Sequence, residues 1–114
     1  MSEDVVYIDV QAGSKRVMNN IKLYFKLLAK FKDDLTINDI EAAIASGDVN
    51  SALGAAHTLK GLAANLSLTE LNAQCLELEN QLKAGSVNPQ QPEIVKNVYA
   101  QTLIEIEKVV TLYG

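Results

Sequence analysis

Tryptophan is absent from this chain of 114 residues, and cysteine and histidine occur once each, as Cys75 and His57. A lone cysteine forms no intrachain disulfide, so nothing points to an oxidising compartment. With one histidine and one cysteine, a zinc site would need carboxylates for most of its ligands, and no metal site is expected. A serine-type triad would have His57 as its only base. The six glycines never cluster into a phosphate-cradling loop, so the chain shows no ATP site of its own, and no cofactor is expected. Cations are the minority: 10 Lys and Arg stand against 14 Asp and Glu, a formal net charge of -4. That balance argues against a nucleic-acid footprint or an anionic membrane surface. No apolar run approaches the roughly 18 residues of a membrane span, and the N-terminus is acidic where a secretion signal would be basic. A cytoplasmic, monomeric domain is the expectation.

What is present fits one globular unit. Hydrophobic residues make up 48% and charged residues 21% of the chain, and its length suits a single domain, here expected over 1–114. Apolar residues recur at steps of three and four, the helical period, and no useful stretch alternates with period two. A short helix is expected over about 9–18, broken at Asn19-Asn20, then another over about 20–33 with Ile21, Tyr24, Leu28 and Phe31 on one stripe. Thr36, with Asp39 three residues on, opens a third helix carrying Ile37, Ile40 and Ile44 as far as Gly47. A fourth covers about 50–66, after which Ser67 and Glu70 read as a capping box. The fifth has the stripe Leu68, Leu71, Cys75, Leu78 and Leu82, with Gly85 as its C-cap. Pro92 fits the first turn of a last helix whose stripe is Val95, Tyr99, Leu103, Ile106, Val110 and Tyr113. The fold expected is all-α: an antiparallel four-helix bundle with one or two additional short N-terminal helices.

The fourth helix carries the chemistry. On a wheel with His57 at zero, Ala55, Leu59, Leu62 and Leu66 fall within about 40° of the opposite side, with Ala52 and Ala63 at its margins. Asn50, Leu53, Gly54, Lys60, Gly61 and Ala64 fall within about 60° of the histidine, which is therefore turned away from the expected core. Gly54 and Gly61 lie one turn either side of it, although each helical glycine costs about 1 kcal/mol relative to alanine. Clearance for an approaching protein surface is one reason for that cost, and tight packing of helices over small residues is the other. Lys60 on the same face favours clearance, since an unpaired ammonium is rarely buried. A lone exposed histidine is commonly an ordinary surface residue, and a nearby lysine an ordinary solvated charge. Together with clearance they suit covalent transfer of an anionic group. A neutral imidazole attacks phosphorus through one ring nitrogen, and Lys60 steadies the anion.

The run Ala56-His57-Thr58-Leu59-Lys60-Gly61-Leu62-Ala63 resembles the signature of histidine-containing phosphotransfer (HPt) domains, A-H-x-L-K-G-x-[AS]. The resemblance extends to Tyr24, Leu27, Leu28, Phe31, Gly47-Asp48, Leu71 and Leu78-Glu79, most of the chain. It implies a phosphorelay intermediate without kinase activity of its own. His57 would take a phosphoryl group from an aspartate on one receiver domain and pass it to another, with Lys60 and Gly61 in the family's lysine and glycine positions. Receiver domains, alone or in a hybrid sensor histidine kinase, would be the partners, and the Mg²⁺ would belong to the receiver. The family usually has glycine where this chain has Ser67, which implies a slightly altered turn.

In an antiparallel hairpin turning near Ser67, residue 57 lies level with about residue 77. Leu76 and Glu79 then border the histidine. Glu79 is read either as acceptor of a hydrogen bond from the second ring nitrogen or as a solvated charge, and Cys75 as plain core. Leu53, Ala56, Ala64 and Leu76, beside Gly54, form an expected apolar docking patch. An alternative function is a helical adaptor that binds receiver-like partners without chemistry. Another is the dimerisation helix pair of a sensor kinase, against which stand Thr58 after the histidine and the proline-free run that follows.

Overall fold

Local capping chemistry divides the chain into helices. The computed structural model describes residues 5–113, so the expected span of 1–114 reaches past the described residues at both ends, and the side chain of Tyr113 lies outside them. Among the described residues there are six helices and no strand: α1 (Val10–Arg16), α2 (Ile21–Phe31), α3 (Thr36–Ser46), α4 (Val49–Asn65), α5 (Thr69–Ala84) and α6 (Gln91–Tyr113). Asp9 caps α1 by accepting from the Ala12 amide, and Asn20 caps α2 by accepting from that of Leu23. Asp48 caps α4, receiving both the amide and the hydroxyl of Ser51. Gly47 and Gly85, with φ near 75° and 74°, take the left-handed conformation that ends α3 and α5.

The helices α3, α4, α5 and α6 pack each on the next, and α6 returns to α3, closing a four-helix ring. Short connections force neighbours to run antiparallel. The additional N-terminal pair packs outside this ring, α2 against α6 and α1 against α2. The core is aliphatic: Leu28, Leu59, Leu68, Leu71, Cys75, Leu78, Val95 and Ile106 are wholly buried. Tyr24 reaches it from α2 and donates its hydroxyl to the Leu66 carbonyl at 2.7 Å. Burial, reinforced by the charge of Asp9, pushes that phenol up to about 12. Gly13 is buried because a Cβ there would overlap the Tyr24 ring.

Several sequence expectations need correction. Ser67 and Glu70 form no capping box: the cap position of α5 is Leu68, without a side-chain hydrogen bond, and the Glu70 carboxylate accepts from Gln74 instead. Ser67 sits at φ 57°, the left-handed region where the related pattern carries glycine, so the turn keeps its shape and strains the serine. Thr36 is the first helical residue of α3, and Asp34 supplies the acceptor for its amide. Ile21, expected on the buried stripe of α2, is exposed in its first turn. In α6 the buried positions include Gln91 and Thr102 beside Val95 and Ile106, whereas Tyr99, Leu103 and Val110 are half-buried. Thr102 satisfies its hydroxyl on the Val98 carbonyl, so a polar residue fits the apolar stripe.

Candidate functional site

Helix α4 buries Ala52, Ala56, Leu59 and Ala63 completely, while Ala55, Leu62 and Leu66 are half-buried. The centre of its buried stripe is thus turned by about 50° from the apolar centre of the sequence wheel, toward α5. Small side chains let α5 approach closely, whereas Leu62 and Leu66 face a cleft that α2 leaves open. Ala56 is correspondingly removed from the expected docking patch: it lies wholly inside the core.

The same rotation brings the histidine to the edge of the α4–α5 seam. His57 keeps 67% of its side chain exposed, and its Nδ1 lies 2.9 Å from Glu79 Oε2. Glu79 is almost wholly buried, with 4% of its side chain exposed, which excludes the reading of a solvated charge and removes it from any surface a partner touches directly. Its other oxygen, Oε1, accepts from Lys60 Nζ at 2.6 Å, and Lys83 Nζ lies 3.6 Å from Oε2. These partners, the Lys60 hydrogen bond foremost, hold the Glu79 carboxyl down at about 2 against its desolvation. An ionised carboxylate only accepts, so Nδ1 is the donor of this bond, and in the neutral form of the ring the lone pair is then on Nε2.

Lys60 is half-buried, and its backbone carbonyl also accepts from Asn72 Nδ2 at 3.1 Å. Gly54 and Gly61 are exposed, and a Cβ at either would meet no atom within 4 Å. Neither glycine therefore serves internal packing, and the space beside the ring is open. Leu53 and Ala64 are half-buried and Leu76 is exposed, so of the expected apolar patch these three keep surface and Ala56 does not. Cys75, directly beneath, is wholly buried, and burial followed by the charge of Glu79 pushes its thiol up to about 12. Sequence reasoning missed two residues. Lys83 was legible as a cation one turn beyond Glu79 on the same helix face. Asn72 gave no signal, because only the crossing of α4 and α5 sets its contact. No cluster of three or more His, Cys, Asp and Glu side chains fit to hold a metal ion occurs among the described residues.

Bundle and site together define a helical scaffold that displays one oriented imidazole. A family model for the Hpt domain matches residues 26–110. Among solved structures, the HPT domain from the Hpt sensor hybrid histidine kinase from Shewanella aligns with a TM-score of 0.83 at 16% identity, covering 97% of this chain and 99% of that one. Histidine-containing phosphotransfer protein B from Pseudomonas aeruginosa aligns with a TM-score of 0.76 at 18% identity, covering 97% of this chain and 100% of that one. No curated protein sequence matches the chain. The chain belongs to the Hpt domain family. Domains of this family are phosphotransfer intermediates of phosphorelays, and they partner with receiver domains and histidine kinases in two-component systems. No helix among the described residues is long and apolar enough to cross a membrane.

Proposed function

We propose that His57 accepts a phosphoryl group from a receiver aspartate and passes it to the aspartate of another receiver. The Nε2 lone pair attacks phosphorus, the bond from phosphorus to the aspartyl oxygen breaks, and the aspartate leaves as a free carboxylate. The proton on Nδ1 stays in place, so the phosphorylated ring gains a positive charge that the Glu79 carboxylate balances at 2.9 Å. Transfer onward reverses these bond changes at the second aspartate. Lys60, fixed by the same carboxylate, steadies the phosphoryl oxygens, and Gly54 and Gly61 keep the approach free. The receiver supplies its Mg²⁺ and most of the charge stabilisation, so the chain itself brings no cofactor, acts as a monomer in the cytoplasm and does not phosphorylate itself from ATP.

The observation that carries this reading is the exposed imidazole whose inner nitrogen is held by a buried, ionised carboxylate. The test is incubation with an aspartyl-phosphorylated receiver. Wild type acquires acid-labile label, whereas His57→Gln acquires none while keeping its helical circular dichroism and its binding to the receiver. Label on that variant overturns the assignment. Label acquired from ATP and Mg²⁺ alone overturns the claim that the chain is not a kinase.

A further inference from the structure

The charge of this acidic chain is segregated. Residues 5–32 hold six cations, Lys15, Arg16, Lys22, Lys26, Lys30 and Lys32, against one acid, Asp9, a net of +5. Residues 33–114 hold four cations and 11 acids, a net of -7. Of the six cations only Lys32 forms an ion pair among the described residues, with Glu107. Lys22, Lys26 and Lys30 stand one turn apart along the outer side of α2, a row of about 12 Å. Net charge alone hides this basic face.

Beside it lies the cleft that leaves Leu62 of α4 and its C-terminal cap residue Leu66 half-buried. It is about 710 Å³, within the roughly 300–1,000 Å³ of ligand clefts, and runs between the end of α1, α2 and α4. Its floor is apolar, formed by Val17, Leu27, Phe31, Leu62 and Leu66, and its polar lining is Arg16 and Lys30 with Asp33, Asp34 and Asn65, the Asp34 carboxylate being taken by the amide and hydroxyl of Thr36. Leu23, one turn before Leu27 on the same side of α2, is 40% exposed and continues the apolar strip. Leu62 and Leu66 lie about 140° and 180° round α4 from His57, so this surface is separate from the displayed imidazole.

We propose that this cleft docks an amphipathic helical segment of a partner protein, apolar along one face and acidic along its flanks. A concave apolar floor takes the side chains of a helix, and the unpaired lysine row extends past the cleft, longer than a small ligand reaches. A flat membrane does not fill a concave site, and the most apolar face of α2, carrying Tyr24, Phe25 and Leu28, is already buried in the bundle. Nucleic acid would use the lysines and leave the apolar floor empty.

The probe is a synthetic helical peptide of about 18 residues with Leu and Phe at positions i, i+3, i+4 and i+7 and Glu elsewhere, beside its Lys-for-Glu counterpart. Titrated into the full chain, the acidic peptide binds at least about 10-fold more tightly than the basic one and shifts the amides of Val17, Leu27, Leu62 and Leu66. Lys26→Glu with Lys30→Glu weakens it about 10-fold, and Leu27→Ala weakens it about 5-fold, without change in helical circular dichroism or in receiver binding at His57. Absence of acidic-peptide binding at 1 mM (about the weakest affinity worth calling docking), equal affinity for the two peptides, or shifts centred elsewhere overturns the proposal. So does tighter binding to duplex DNA or to phosphatidylserine vesicles.

Discussion

Glu79 has two oxygens and three neighbours that want them. His57 Nδ1 and Lys60 Nζ take the short contacts at 2.9 and 2.6 Å, and Lys83, 60% exposed, takes a longer one at 3.6 Å. The buried carboxylate therefore fixes the ring and the nearer ammonium as one unit, while Lys83 is held loosely enough to follow a new anion. A charge-assisted hydrogen bond to a buried group is worth about 1.5–3 kcal/mol, so Glu79→Ala is expected to slow phosphoryl transfer at least about 10-fold. The same variant redistributes the imidazole proton between its two nitrogens, a change that ¹⁵N chemical shifts register and a merely loosened helix does not produce. Lys83→Ala, removing an exposed cation, slows transfer only about 2-fold to 3-fold. An equal loss in the two variants contradicts this ranking. At Gly61 the open space makes a separate point. A Cβ at Gly61 meets no neighbouring atom and leucine is the better helix former, so Gly61→Leu is expected to retain helix content and stability while blocking the approach of a receiver, lowering the transfer rate without altering the ring's tautomer.

Among the elements, the α4–α5 turn and the α1–α2 contact carry strain or tightness that changes stability rather than chemistry. Ser67 holds φ 57° in a position nearly closed to solvent. A left-handed non-glycine residue costs about 1–2 kcal/mol, part of which glycine loses again through its freer unfolded chain, so Ser67→Gly is expected to stabilise by about 0.5–1 kcal/mol in urea unfolding. Gly13→Ala acts in the opposite sense, because its new methyl displaces the Tyr24 ring, and it destabilises by about 1–3 kcal/mol. The sequence made the helices legible because their caps and stripes are local: Asn20, Asp48 and Gly85 each mark a boundary by their own chemistry. It also brought His57, Lys60 and Glu79 within one neighbourhood, since helical rise and a hairpin fix which residues lie level. What it could not supply was rotation. The apolar count on α4 favours the side of Leu62 and Leu66, yet the closeness permitted by Ala52, Ala56 and Ala63 turned the helix toward α5. Ala56 thereby passed inside, and two leucines remained beside an open cleft. Ser67 misled for a related reason: its side chain suits a cap, but its backbone is needed for the left-handed turn.

For the molecule as a whole, burial of ionisable groups sets the pH limits of the fold. Tyr24 and Cys75 are both pushed up to about 12, so the native state holds their protons where the unfolded chain releases them. Glu79 is shifted in the opposite direction, from its usual 4.5 to about 2, so its contribution is complete above pH 4.5 and disappears as the pH falls toward 2. Acid therefore attacks the fold at the site: protonation of this one carboxylate removes the charge that holds Lys60 and weakens the bond it accepts from the ring. Stability measured by urea unfolding is expected to fall between pH 4.5 and 2 more steeply in wild type than in Glu79→Gln, by up to one proton's worth of slope. On the alkaline side the phenol of Tyr24 ionises at 10.0 in the unfolded chain and at about 12 in the fold, so stability declines across that interval. Tyr24→Phe starts about 1 kcal/mol less stable through loss of the bond to Leu66. It then loses less than wild type between pH 10 and 12, so the two stability curves converge as the pH rises. Curves that stay parallel through that interval would mean that the buried phenol does not govern the alkaline limit.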